Sequence, residues 1–345
     1  MMKVAIVGAS GYTGLELMRL AIQHPHVELI AVSSEKLAGK EVGEVFPFLK
    51  DKVYLKFHSV SEHKDLDEAD FVFVALPHGE AMGVVPKLIK QGKKVIDLSA
   101  DFRLQDPAVY EKWYKKHTAP ELINDAVYGL PELYREKIKS AQLIANPGCY
   151  PTSVLLSLAP VVKNKIIDLK TIIVDAKSGV SGAGRTVVLS SLYPEVNEGV
   201  KAYKVAKHQH TPEMEQELGV IAQSKVTISF IPHLIPMNRG ILSTTYAAIS
   251  GGISEKEIFD LYKDFYQKEI FVRICPLSTF PSTLQVKGSN YCDISISIDS
   301  RTNRLIIVSA IDNLLKGGSG QAMQNLNIMA GMKEDLGINH PPLFP

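Results

Sequence analysis

The sequence predicts an α/β protein: a Rossmann-type, doubly wound parallel sheet plus an α+β domain with a mainly antiparallel sheet. Three observations carry that prediction. Short apolar runs rich in β-branched residues alternate with helical periodicity through the first part of the chain. A glycine-rich turn, Gly8-Ala9-Ser10-Gly11-Tyr12-Thr13-Gly14, stands between the first strand and the first helix. Beyond about residue 165 the texture changes to strands separated by longer gaps, with one clear helix among them.

Val4–Val7 ends at Gly8 and reads as a buried strand. Leu15, Met18 and Ile22 recur at helical spacing, so a helix runs from Gly14 to about His24, with Pro25 beyond its end. Val27–Val32 and Phe71–Leu76 are further buried strands. Glu80–Gln91 reads as one helix, and Val95–Leu98 as the strand that follows Gly92. From Asp101 to Lys139 the pattern is polar, aromatic and Pro-containing, which reads as a long excursion. Leu143–Ala145 is one more strand, and Val154, Leu155, Leu156, Leu158 and Ala159 form a buried helix. The second region holds strands at Thr171–Ala176, Val226–Ile231, Ile241–Ile249, Tyr291–Ile298 and Leu305–Ala310, with a helix at Glu255–Lys268. A glycine-rich turn at Gly317, Gly318 and Gly320 feeds the last helix, which is expected to return to the first domain.

Composition narrows the function classes. A chain of 345 residues suggests two domains at roughly 100–200 residues each. With 38 basic and 37 acidic residues, the net charge of +1 supplies no field to attract nucleic acid or an anionic membrane. No apolar run approaches the ~20 residues of a membrane span, and Gly8 arrives too early for a signal-peptide core. Three scattered cysteines, Cys149, Cys275 and Cys292, fit a reducing compartment rather than a disulfide framework. A cytoplasmic protein is expected.

The first motif has the spacing G-x-x-G-x-x-G and lies where a dinucleotide fingerprint belongs. Its glycines allow a tight turn and close backbone approach, while the helix N-terminus offers N–H groups to a pyrophosphate. Its alternative is a plain tight connection. Cofactor choice turns on Ser33-Ser34-Glu35 after the second strand: hydroxyls with Lys36 and Lys40 nearby suit the 2′-phosphate of NADP, whereas Glu35 suits NAD.

Cys149 lies between Gly148 and a helix whose first turn holds Pro151. A thiol at a helix N-terminus is biased toward the nucleophilic thiolate. Cys275 and Cys292 fall in or beside apolar strands, where a small hydrophobe is the ordinary explanation. In His208-Gln209-His210-Thr211-Pro212-Glu213, Thr211 reads as an N-cap and Pro212 as the first helical residue. An extended stretch there would put both histidines on one face, as an acid/base partner for Cys149 or as a metal pair. No third ligand stands at recognised spacing, so no metal is expected. Surface histidines without a role are the plain alternative. Two stretches suit anions: Ser178–Arg185, rich in backbone N–H, and Asp97–Arg103, just after a strand end.

Together these motifs, with Tyr128-Gly129-Leu130-Pro131-Glu132 and Asp312-Asn313-Leu314-Leu315-Lys316-Gly317, resemble the type 1 N-acetyl-γ-glutamyl-phosphate reductases of arginine biosynthesis along essentially the whole chain. The resemblance implies NADPH-dependent reduction of an acyl phosphate to an aldehyde, on a fold with a glyceraldehyde-3-phosphate dehydrogenase-like second domain. It implies an NADP-binding domain at 1–148 and 313–345 and a catalytic and dimerisation domain at 149–312. By it, Cys149 is the nucleophile and His208 the acid/base. The cofactor falls to Gly8, Ser10, Gly11, Tyr12, Thr13, Gly14, Ser33, Ser34, Ser99, Ser181, Gly182, Asn313, Lys316 and Gly317. The substrate falls to Arg103, Arg185, His210 and Glu213. A homodimer or homotetramer acting on a small molecule, without nucleic acid or membrane, is implied as well. Aspartate-semialdehyde dehydrogenase and a reductase of carrier-linked aminoadipyl phosphate are the enzyme alternatives. A nucleotide-binding regulatory protein is the alternative outside catalysis.

Overall fold

Seven strands, all parallel, make the first sheet: β1 (Met2–Val7), β2 (Val27–Ser33), β3 (Phe57–His58), β4 (Phe71–Val74), β5 (Lys94–Asp97), β6 (Ala126–Tyr128) and β7 (Leu143–Ala145). Their order is β3-β2-β1-β4-β5-β7-β6. The chain builds outward from β1 in one direction and then from β4 in the other. The C-terminal ends of β1 and β4 are therefore the topological switch point where ligands bind such sheets. Strand β4 and the Val4–Val7 stretch of β1 are buried throughout, as apolar runs covered on both faces must be. Helices α1 (Tyr12–Ala21), α2 (Val42–Val45), α3 (Val85–Lys90), α4 (Pro107–Trp113) and α5 (Pro131–Lys139) connect them.

The second sheet holds β8 (Ile173–Ser178), β9 (Lys201–Ala202), β10 (Ser229–Leu234), β11 (Ile241–Ala248), β12 (Val272–Ile274), β13 (Cys292–Asp299) and β14 (Arg304–Ile311), in the order β12-β13-β14-β11-β8-β10-β9. It is mixed: β8 with β10 and β12 with β13 run parallel, and the other four pairings are antiparallel. Its helices are α6 (Cys149–Lys163), α7 (Tyr193–Val196), α8 (Thr211–Ala222) and α9 (Glu255–Phe265). From Tyr150 to Val162 every residue of α6 is buried. Hydroxyls fasten it to the sheet: Ser153 Oγ donates to Ser243 Oγ at 3.1 Å and lies 2.8 Å from Ser309 Oγ. Pro160 has no N–H to give the Leu156 carbonyl one turn back, and the Tyr266 hydroxyl donates to that carbonyl instead.

The computed structural model describes residues 1–60 and 65–344. It forms two units, Met1–Pro147 with Gly318–Asn339, and Gly148–Gly317 with the tail from His340. Gly148, residues 313–317 and the tail thus sit with the second unit rather than the first. The tail is held there by main-chain pairing, Leu343 N–H donating to Lys287 O at 2.7 Å. The last helix, α10 (Gly320–Met329), belongs to the first unit and is buried throughout.

Three expectations are corrected. Glu80–Gln91 is not one helix: α3 starts afresh at Val85, with Pro86 in its first turn, after a short turn at Ala81–Gly83, since proline suits a helix start and cannot continue one. The stretch after Asp101 carries α4, β6 and α5. Asp106 caps α4 by accepting the Ala108 N–H, and a three-residue strand is too short to show a period. Third, Thr211 does not cap α8. His210 does so in helical conformation, and the two histidines occupy a turn, the Thr211 N–H donating to His208 O at 3.0 Å, rather than an extended stretch.

Candidate active site

In the first unit, β1 delivers the chain into its glycine turn. Gly8 has φ +85°, and a Cβ there would lie 2.5 Å from Ala75 O, so only glycine passes β4 at this point. A Cβ on Gly14 would meet Ala9 Cα and Gly8 O at 2.6 Å, which sets how closely α1 follows β1. Gly11, the N-cap of α1, faces open space and has no side-chain cap. Tyr12 and Thr13 follow it at the head of α1. Ser33 is fully buried and its Oγ accepts the Gly8 N–H at 3.2 Å, so it shapes the turn from within. Ser34 Oγ donates to Ser10 Oγ at 2.9 Å. Glu35 Oε1 accepts the Val60 N–H at 2.7 Å, which commits this carboxylate to backbone. Close by, a cavity of about 310 Å³ is lined by Glu35, Val60, Leu66, Val84, Lys87 and Leu88 among others.

At the end of β5 the carboxylate of Asp97 accepts both the N–H of Ser99 at 2.9 Å and its Oγ at 2.7 Å. Burial, and then the charge of Asp101, push Asp97 up to about 7. Asp101 in turn accepts the Gly79 N–H and the Tyr110 hydroxyl. Arg103 is 5% exposed, its Nε and Nη2 donating to Asn146 O and Leu98 O, both at 2.7 Å. Of the residues read from sequence in this unit, Ser33, Ser99 and Arg103 are thus buried and engaged inside the protein.

In the second unit Gly148 caps α6 and Cys149 is its first residue, half-buried. Gly317 packs directly on it: a Cβ there would lie 2.8 Å from Cys149 Cβ. The Tyr150 ring meets His208, His210 and Phe230 edge-on, with centroids 5.4, 5.9 and 5.2 Å away. The two histidine rings are 4.9 Å apart. His208 Nδ1 accepts the His210 N–H at 3.1 Å, which leaves the proton of the neutral ring on Nε2. That Nε2 stands 3.4 Å from the Tyr203 hydroxyl, which donates to the Tyr150 hydroxyl at 3.1 Å. Both phenols are pushed up, first by burial; the neighbouring Cys149 contributes to each. Burial and Asp293 push Cys275 up to about 11, and Cys292 is wholly buried, as expected of packing cysteines.

Asn313 Nδ2 donates to Ser181 Oγ at 2.9 Å, and Gly182 lies beside both Ser178 and Asn313. Asp312 anchors this turn, paired with Arg239 at 3.0 Å and accepting the Gly288 N–H. Lys316 is fully buried with its Nζ 5.8 Å from the Phe271 ring centroid, whereas Arg185 is exposed. Sequence reasoning missed Tyr150 and Tyr203, although Tyr150 adjoins Cys149 and Tyr203 stands five residues before His208. Aromatic residues so close to candidate catalytic groups were the available signal.

Residues 3–141 match the family described as semialdehyde dehydrogenase, NAD binding domain, and residues 149–313 its dimerisation domain. The fold agrees. Aspartate semialdehyde dehydrogenase II from Vibrio cholerae superposes with a TM-score of 0.74 at 17% identity, covering 96% of this chain and 98% of that one. The enzyme from Candida albicans gives 0.72 at 15%, covering 96% and 98%. The class is therefore that of the two-domain semialdehyde dehydrogenases, with a glyceraldehyde-3-phosphate dehydrogenase-like fold. Within it, the N-acetyl-gamma-glutamyl-phosphate reductases of Geotalea daltonii and Pelobacter propionicus are each 56% identical to this chain, and that of Desulforamulus reducens 52%, each over 100% of both chains. The chain belongs to the N-acetyl-γ-glutamyl-phosphate reductase family, NADP-dependent oxidoreductases of amino-acid biosynthesis.

Proposed function

We propose that Cys149 is the nucleophile and His208 the acid/base in the reduction of N-acetyl-γ-glutamyl phosphate to its semialdehyde. The observation that carries this reading is a half-buried cysteine at the head of a buried helix whose next residue, Tyr150, packs on two histidine rings. The helix N-terminus favours the thiolate. Attack on the γ-carbonyl carbon forms a C–S bond, breaks the C–O bond to phosphate and leaves a thioester on Cys149. When bound, NADPH supplies the hydride that reduces this thioester. His208 donates a hydrogen bond from its Nε2–H to the oxyanion of the resulting thiohemiacetal, sharing that proton as charge develops there. The oxyanion then collapses, the C–S bond breaks and the aldehyde leaves, restoring the thiolate. Arg103 and Arg185 are the arginines assigned to the anionic groups of the substrate.

The first unit fits the cofactor. Gly11 leaves open space at an uncapped helix N-terminus, the arrangement that receives a pyrophosphate. Ser34 with exposed Lys36 suits a 2′-phosphate, Glu35 being tied to backbone, and the neighbouring cavity suits an adenine. A homo-oligomer built on the second sheet is part of the same proposal. Leu242, Thr244 and Tyr246 of β11 lie half-buried on the face opposite the α6-packed residues Ser243, Thr245 and Ala247. A cytoplasmic location is proposed too; among the described residues no helix is long and apolar enough to cross a membrane.

The deciding assay is phosphate-dependent reduction of NADP⁺ with N-acetylglutamate semialdehyde, run beside aspartate semialdehyde and aminoadipate derivatives. Preference for the first supports the reading. Preference for another substrate transfers the chemistry to that substrate, and inactivity with all three overturns the reading.

A further inference from the structure

We propose that Glu213 is a positioning residue for the nucleophile, holding the head of α6 through the Gly148 N–H, and that it does not contact substrate. The inference rests on Cys149 being the nucleophile.

Glu213 is the third residue of α8 and 1% exposed. An acid in a first helical turn ordinarily answers the N-terminus of its own helix. Here Oε1 accepts the N–H of Gly148, 65 residues away and one residue before Cys149, at 2.8 Å. The same short segment closes a second side of Gly148. A Cβ there would lie 2.5 Å from His210 Nε2, so the imidazole rests against the glycine Cα. The third handle is the Gly148 carbonyl, which accepts both the N–H and the Oγ1 of Thr152 at 3.0 Å. With N–H, Cα and carbonyl all held, the peptide entering Cys149 has one orientation, and the thiol starts from a fixed point.

Two consequences follow. Because the Gly148 N–H is occupied, it is not a donor for a developing oxyanion. Pro151, two residues into the helix after Cys149, has no N–H to offer either. A carboxylate beside the helix head also opposes the thiolate that the helix favours. The groups packed about the head of α6 are Tyr150 on α6, Tyr203 after β9, and His208 and His210 before α8, the two phenols lying near Cys149. The turn after β14 packs on Cys149 through Gly317, while the neighbouring Lys316 lies over Phe271.

The test compares Glu213→Gln and Glu213→Ala with the parent enzyme, following the pH profile of Cys149 alkylation by iodoacetamide together with kcat and KM. The Gln carbonyl still accepts the N–H but carries no charge. The alkylation midpoint is expected to move to lower pH by about half a unit to one unit, with KM for the acyl phosphate within about twofold. The Ala variant strands a buried N–H, and kcat is expected to fall roughly 10–100-fold, the worth of a hydrogen bond to a charged group, with Gln restoring most of the loss. An unmoved alkylation midpoint in the Gln variant overturns the proposal. A rise in KM of tenfold or more at constant kcat overturns it in favour of direct substrate contact. The underlying reading fails separately, if Cys149→Ser retains turnover.

Discussion

Two helix heads in this protein are built alike and surrounded differently. Both α1 and α6 begin after a glycine N-cap, Gly11 or Gly148, in extended conformation and without a side-chain cap. At Gly11 nothing lies within 4 Å of where a Cβ would stand. Gly148 is enclosed by His210 and its N–H is taken by Glu213. An open helix head offers its N–H groups to an anion from outside, whereas at the enclosed one the glycine N–H already serves a carboxylate of the same chain. The residue that follows this glycine is Cys149. The surroundings of a helix N-terminus, more than the terminus itself, decide which chemistry it supports.

Substitution at each head sharpens the contrast. Cys149→Ser is expected to abolish turnover while leaving NADPH affinity unchanged, measured by fluorescence titration; near-normal turnover would break the comparison at its centre. His208→Asn is expected to slow kcat by roughly 10²–10⁴, the worth of a general acid/base, and a loss below fivefold would move that role to another group. Gly148→Ala must displace His210, and a misplacement of that size costs roughly 10² in rate, with NADPH affinity unaffected. Gly11→Ala should do the reverse. Unfolding stability stays within about 0.5 kcal/mol, because the methyl enters open space, while NADPH binding weakens about tenfold where the backbone must approach a pyrophosphate. Similar phenotypes for the two alanine variants would show that the heads are not specialised.

The smallest effect on turnover is expected at Asp97, which lies at neither head. Burial holds its pKa at about 7, above the ordinary 3.8, so the folded protein keeps a proton that the unfolded chain has lost. The stability this contributes is complete below pH 3.8 and is lost as pH rises to 7, at roughly 1.4 kcal/mol per pH unit. Asp97→Asn should flatten that decline in urea unfolding followed at pH 5 and pH 7; an unchanged slope would place the proton elsewhere.

Most of the β-α alternation was legible because each buried strand is a local apolar run, and each helix has a local period and a glycine or proline at its end. Val4–Val7, Phe71–Val74 and Leu143–Ala145 show this. The Asp101–Lys139 stretch was not legible, since β6 is three residues long and owes its existence to pairing with β7. Gly8 through Gly14, the thiol at the head of α6 and the histidines before Thr-Pro-Glu were likewise readable, because residue type and spacing carry them. Which partner each group faces was not. Ser33 sits in a fingerprint position on sequence grounds, yet its hydroxyl turns inward to Gly8. Glu213 looks like a substrate ligand beside two histidines, yet it reaches Gly148 across 65 residues of chain.

The sequence by itself determined β1, β2, β4, β5 and β7 of the first sheet, the two glycine-headed helices and the place of Cys149 at the head of one of them. Those depend on short-range periodicity and on residues with unusual backbone freedom. The tertiary structure alone decided that His210 and Glu213 converge on one glycine, that Tyr150 carries both histidine rings, and that Ser33 and Ser99 serve the backbone. Hydrogen bonds and ring contacts between distant segments arise only when packed elements bring them within about 3 to 6 Å, a distance that spacing along the chain does not encode.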